Sequence, residues 1–181
     1  MTSALVLLAD GFEEIEAVTI IDVLRRAEVT VTTASLGARR VTGSHQIALE
    51  ADALLDEVSV ESYDALVLPG GPAAKTLCED GRAQASIRKA AAAGRLVAAV
   101  CAAPTALEVA GLLVGKRATA FPGCALPSAQ LVEDSVVEDG NVITSRGPGT
   151  SLAFALKVAQ RLRGAEVARV TGERLLFRPA G

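Results

Sequence analysis

The sequence predicts a doubly wound α/β domain, a mostly parallel sheet with helices on both faces. Three observations predict it. Half of the residues are hydrophobic but only 3% are aromatic, so the core is aliphatic, as in a sheet buried on both faces. Short apolar runs alternate along the chain with stretches of helical spacing. Short Gly and Pro turns join them, which favours βαβ units and parallel strands.

The elements follow in order. Ala4–Ala9 (ALVLLA) is an apolar run ended by Asp10-Gly11 and reads as a buried strand. Residues 12–27 carry Ile15, Val18, Ile21 and Leu24 at roughly helical spacing. Acids in the first turn and arginines in the last complement the helix dipole. Val29–Ser35 is rich in β-branched residues and predicts a second strand. Residues 41–51 predict a hairpin with a Gly-Ser turn. Ala65–Leu68 is a strand closed by Pro69-Gly70-Gly71. Residues 82–93 predict an Ala-rich helix stopped by Gly94, and Leu96–Val100 a strand that feeds Cys101. Pro104 opens a helix over Thr105–Ala110. Strands are expected at 117–121, 135–138 and 141–144, and a helix at 151–162 introduced by Gly147–Thr150. Residues 165–177 form a short helix or an extended closing segment.

The 181 residues suit one domain, 1–181, without repeat or linker. A net charge of −3 with interspersed signs, and no basic stripe, gives specific nucleic-acid binding no support. The apolar run at residues 4–9 is too short for a membrane span and lacks the flanks of a signal peptide. Cys78, Cys101 and Cys124 are odd in number and form no CxxC, which fits free thiols in a reducing cytoplasm. With one histidine and scattered cysteines no metal site is expected, and no cofactor motif is present.

In such sheets ligands bind outside the carboxyl ends of the strands. Three loops there carry unusual residues: 10–16, 69–72 and 101–105. Cys101 follows five apolar residues and precedes Ala102, Ala103 and Pro104, a setting for a sharp strand-to-helix elbow. Amides and a helix N-terminus would lower its thiol pKa; the alternative is an inert cysteine ending a core strand. Glu16, between Ile15 and Ala17, would have a raised pKa if turned inward. Protonated it donates to a thiolate; ionised it is a base. Glu13 and Glu14 read as decoration of the helix start. Gly70-Gly71 lets backbone N–H groups approach a ligand and, with the Ala102 N–H, would make an oxyanion hole. His45 lies in the predicted hairpin, away from a Cys-His triad, and residue 102 is Ala rather than a histidine. Cys78 and Cys124 read as peripheral thiols.

The strings LADGFEEIEAVTIIDVLRRA, DALVLPGG, LVAAVCAAPTAL and ITSRGPGTSLAFAL, in this order, resemble the ThiJ/PfpI superfamily, in the branch of the Parkinson-disease-associated protein and its bacterial relatives. The resemblance implies a flavodoxin-like fold and a homodimer. It implies that Cys101 is the nucleophilic, oxidisable cysteine, that Glu16 hydrogen-bonds it, and that the Gly71 and Ala102 N–H groups line the site. It implies cofactor-free glyoxalase or deglycase chemistry on methylglyoxal-type aldehydes or early glycation adducts. Its other theme is oxidation of the cysteine to a sulfinate in a redox sensor or chaperone; an intracellular peptidase is a third. Arg26 matches a family arginine at the end of the first helix. Phe121 stands where many members carry His, and His45 where the human member carries Arg. A phenyl ring cannot move protons, so catalysis must rest on Cys101 and Glu16.

Overall fold

The apolar run Ser3–Leu8 forms strand β1, with five of its six residues buried. A computed structural model describes residues 1–178; residues 179–181, the end of the expected 1–181 domain, lie outside the described residues. Helix α1 (Glu14–Arg26), β2 (Thr30–Ser35), β3 (Arg40–Thr42), β4 (Ala48–Glu50) and β5 (Ala53–Leu54) follow. Next come β6 (Ala65–Leu68), α2 (Ala73–Glu79), α3 (Gly81–Ala92), β7 (Leu96–Val100) and α4 (Pro104–Val109). The chain continues through β8 (Arg117–Ala118), β9 (Gln130–Leu131), β10 (Val136–Asp139), β11 (Val142–Ser145), α5 (Ser151–Arg163) and α6 (Ala165–Arg174).

Seven strands make the central sheet in the order β10-β11-β7-β6-β1-β2-β5. All neighbours are parallel except β10 against β11. All five residues of β7 are buried. Successive side chains of a strand point to opposite faces, so both faces are covered. Helix α5 packs on α1 and α6, α2 packs on α3 and α4, and both groups reach β7.

Three expectations are corrected. The strand predicted at 117–121 stops at Ala118, because the Thr119 amide donates to Thr144 Oγ1 and the Phe121 amide to the Cys101 carbonyl. Helix α2 was not foreseen; the Asp80 side chain, accepting from the Arg82 and Ala83 amides, separates it from α3. On α1, Ile15 and Val18, which carry the helical spacing, are 57% and 46% exposed. The buried stripe is instead Glu16, Ala17, Ile20, Val23 and Leu24, the set that shares one helical face.

Strand order reverses between β1 and β6, whose onward connections run to opposite sides of the sheet. At such a switch point the loops leave a crevice at the carboxyl ends. The loops after β1, β6 and β7, three adjacent strands, open into it.

Candidate active site

The loops are stitched together by main-chain bonds. The Glu13 amide donates to the Gly70 carbonyl at 3.1 Å, the Ala73 amide to the Gly11 carbonyl at 3.1 Å, and the Gly11 amide to the Thr42 carbonyl at 2.8 Å. The third ties the β3–β4 hairpin to the same corner.

Cys101 ends β7 with φ +63°, a left-handed conformation that costs a non-glycine residue strain. Its amide donates to the Ser145 carbonyl and its carbonyl accepts the Phe121 amide, at 2.9 and 2.8 Å. The main chain is thus held on both sides, and the Gly71 and Ala102 amides favour a charged sulfur. Cys101 is 8% exposed and Glu16 wholly buried. Glu16 Oε2 accepts the Gly70 amide at 2.7 Å. Oε1 is enclosed and has no hydrogen-bond partner among the described residues. Gly70 lies between the two functional groups. A Cβ there would sit 2.7 Å from Cys101 Cβ and 2.9 Å from Glu16 Oε2. Gly71, with φ +84°, has no more room: its Cβ would meet the Gly11 carbonyl oxygen at 2.6 Å.

Burial pushes the Glu16 carboxyl up to about 7; the Gly70 amide and the neighbouring Cys101 thiol lower it, and the nearby Glu13 charge raises it. Burial also pushes the Cys101 thiol up to about 12, with the Glu16 charge adding and the Gly71 and Ala102 amides opposing. The lowered thiol expected from sequence is therefore not what the resting site holds. Helix α4 begins at Pro104 and not at the cysteine, and an ionised Glu16 repels the thiolate. The two groups titrate as a pair. Once Glu16 is protonated, the charge opposing the thiolate is gone and its O–H can donate to sulfur. Such a pair can pass one proton between carboxyl and thiol beside two fixed N–H donors.

The other predicted residues divide. Phe121 is half exposed and lies over the turn after β11; a Cβ on Gly147 would be 3.3 Å from its ring. The GPGT string thus builds a short helical turn and seats Phe121. His45 sits on the hairpin tip, bound to the start of α1, with Nδ1 3.1 Å from Glu14 Oε2. Arg26 is not at the rim of its own chain's site. It lies ten residues along α1 from Glu16, about 15 Å at the helical rise, and its Nε donates to Asp22 at 2.7 Å.

Glu14 and Cys78, which the sequence marks as helix decoration and as a peripheral thiol, make specific contacts. Glu14 is 5% exposed and accepts from the His45 and Ile47 amides and Ser44 Oγ. Cys78 Sγ is 3.4 Å from Thr105 Oγ1, which donates to the Ala102 carbonyl beside the elbow. An apolar groove of about 560 Å³ runs between α5 and α6, but it holds no nucleophile, and the titratable pair with the displaced ionisation is at Cys101.

Residues 2–161 match the DJ-1/PfpI family. Protein DJ-1 homolog B of Arabidopsis thaliana is 47% identical over 90% of this chain, which spans 38% of that protein's length. Protein dj-1beta of Drosophila melanogaster is 41% identical over 96% of each chain. Its crystal structure superposes with a TM-score of 0.93, at 40% identity, covering 98% of this chain and 99% of that one. A deglycase of Thermococcus kodakarensis is 33% identical over 88% of this chain and 98% of its own. Toxoplasma gondii DJ-1, solved in an oxidized form, gives a TM-score of 0.91 at 34% identity, covering 99% of this chain and all of that one. Match and fold agree: the chain belongs to the DJ-1/PfpI family.

Proposed function

We propose that this protein is a cytoplasmic stress-response enzyme, one domain over residues 1–181, converting methylglyoxal-type aldehydes or early glycation adducts by a cofactor-free glyoxalase or deglycase reaction. The observation that carries the reading is the buried Glu16 carboxyl facing Cys101 across Gly70, with one oxygen unpaired. The deglycase relative from Thermococcus supports it, and three free thiols suit a reducing compartment.

In this mechanism the Cys101 thiol passes its proton to ionised Glu16 as the sulfur attacks the aldehyde carbon of methylglyoxal, and Glu16 hands that proton to the new oxygen. The resulting hemithioacetal oxygen accepts bonds from the Gly71 and Ala102 N–H groups. Glu16 removes the proton from that carbon and returns it to the adjacent carbonyl carbon, while the hydroxyl and carbonyl exchange places through an enediol. The product is a lactoyl thioester. Water cleaves it, releasing lactate and the Cys101 thiol. For a glycated amine the same attack would precede release of the amine. Lactate formation tests the reading: wild type turns methylglyoxal over, while Cys101→Ala and Glu16→Gln lose the activity at least about 100-fold. Equal rates in wild type and Cys101→Ala would sink it.

A second reading is a redox sensor or chaperone, with Cys101 oxidised to a sulfinate. Glu16 Oε1 and the two amides could hold its oxygens, and a relative has been solved oxidized. Mild peroxide should then add two oxygen atoms to Cys101 in preference to Cys78 and Cys124, by peptide mass spectrometry. Homodimerisation belongs to the same proposal. The exposed Ile15 and Val18 of α1 and Ile47 of the hairpin offer a second copy an apolar face. Among the described residues no helix is long and apolar enough to cross a membrane.

A further inference from the structure

The hairpin tip is built around a histidine that this chemistry does not use. His45 Nδ1 lies 3.1 Å from Glu14 Oε2 and 3.7 Å from Glu13 Oε1. Ser44 Oγ bridges the group, 3.2 Å from an oxygen of each glutamate and 3.0 Å from His45 Nδ1. A Cβ at Gly43 would collide with the Glu14 carboxylate, so the hairpin backbone closes on the cluster.

This cluster touches the Cys101 site through Glu13. The Glu13 amide donates to the Gly70 carbonyl at 3.1 Å, and the Gly70 amide donates to Glu16 at 2.7 Å. One residue, Gly70, therefore joins the Glu13 main chain to the Glu16 carboxyl through its two peptide groups. The Glu13 carboxylate also opposes ionisation of Glu16 through space. The charged groups facing each other are few. Among the described residues His45 pairs with Glu13 and Glu14, and Glu16 feels Glu13 and Cys101. Glu14 stays ionised well below neutrality, so its charge is constant there. Exposed His45 is the group whose charge changes near neutral pH, and its bonds to Glu14 and the charges of Glu13 and Glu14 favour its protonated form.

We propose that His45 is a positioning residue of the Cys101 site: by balancing the Glu13 charge, it sets the pH at which Glu16 releases its proton. The proposal rests on the reading of Cys101 and Glu16 as a working pair. With His45 protonated, Glu13 is compensated and Glu16 ionises more easily. With His45 neutral, Glu13 stands uncompensated and Glu16 keeps its proton to higher pH.

The test is the pH dependence of Cys101 alkylation by iodoacetamide, followed by peptide mass spectrometry so that Cys78 and Cys124 are counted apart. His45→Gln should move the Glu16-dependent midpoint up by about half a pH unit, and Glu13→Gln should move it down by about as much. The double variant should stay near Glu13→Gln. His45→Arg, a permanent cation, should move the midpoint down and keeps the tip paired if His45→Gln loosens it. Shifts of the same sign in His45→Gln and Glu13→Gln, or none, overturn the proposal while leaving the Cys101–Glu16 pair intact. If Glu16→Gln leaves the wild-type profile unchanged, the pair itself fails, and the role of His45 with it.

Discussion

Glu14 and Glu16 stand two residues apart on α1, are of one chemical type and are both buried, yet they ionise at opposite ends of the carboxylate range. Burial raises both. At Glu14 its own amide, the His45 side chain and the His45 and Ile47 amides more than offset burial and hold the carboxyl at about 2. At Glu16 burial prevails over the Gly70 amide and the Cys101 thiol, and the carboxyl sits at about 7. The number of donors turned toward a carboxylate, and not burial alone, decides its charge. One helix turn thus carries a structural anion and a proton carrier.

The sharpest way to break the contrast is Gly70→Ala. Its Cβ would land 2.7 Å from Cys101 Cβ and 2.8 Å from the Val100 carbonyl oxygen. Separating Glu16 from its one amide and crowding the nucleophile should cost about 3 kcal/mol and most of the turnover, read from denaturant midpoints and lactate formation. Next comes Glu16→Gln. Because the folded-state value is raised from 4.5 to about 7, the native state binds the extra proton between those values. The wild type therefore loses stability as pH rises through that window. Glu16→Gln should be more stable than wild type by about 2–3 kcal/mol above it, with the gain vanishing below. A flat difference across pH would show that Glu16 is ionised without penalty.

Glu14→Gln should act with the opposite sign. The Glu14 value is lowered from 4.5 to about 2, so its contribution is complete above 4.5 and is lost as pH falls through 2. The variant should be less stable at neutrality by about 2 kcal/mol, and the deficit should shrink on acidification in pH-dependent melts. Arg26→Ala is the smallest change. An exposed pair four residues apart on a helix is worth about 0.5 kcal/mol or less, and Cys101 alkylation should not move. A changed alkylation profile would return Arg26 to the rim.

The half of this contrast that is legible in the sequence is the half written locally. Leu96–Val100 running into Cys101, and Glu16 set among apolar neighbours, are contiguous signals, and the doubly wound sheet follows from similar runs at residues 4–8 and 65–68. Glu14 reads as decoration in the sequence because its donors, His45 and Ile47, come from a hairpin some thirty residues on. No periodicity announces such a contact. The same reason hid the direction of the Cys101 shift: small residues and a following proline mark an elbow, but the depth of burial belongs to the whole sheet. On α1, Ile15 and Val18 have helical spacing as good as that of Ala17 and Ile20, yet only the latter pair is buried. Apolar spacing locates a helix, not which of two stripes turns inward.

The fixed donors of the crevice, on Gly70, Gly71 and Ala102, are main-chain amides. Short of proline, a substitution cannot delete a backbone N–H, so in an alanine scan Gly70 and Gly71 would report the crowding of a Cβ and not the loss of a donor. Exchanging single amides for esters at 70, 71 and 102 would reach it. Most of the chemistry here is inherited from the path of the chain, and that path in turn holds only with glycine at 70 and 71.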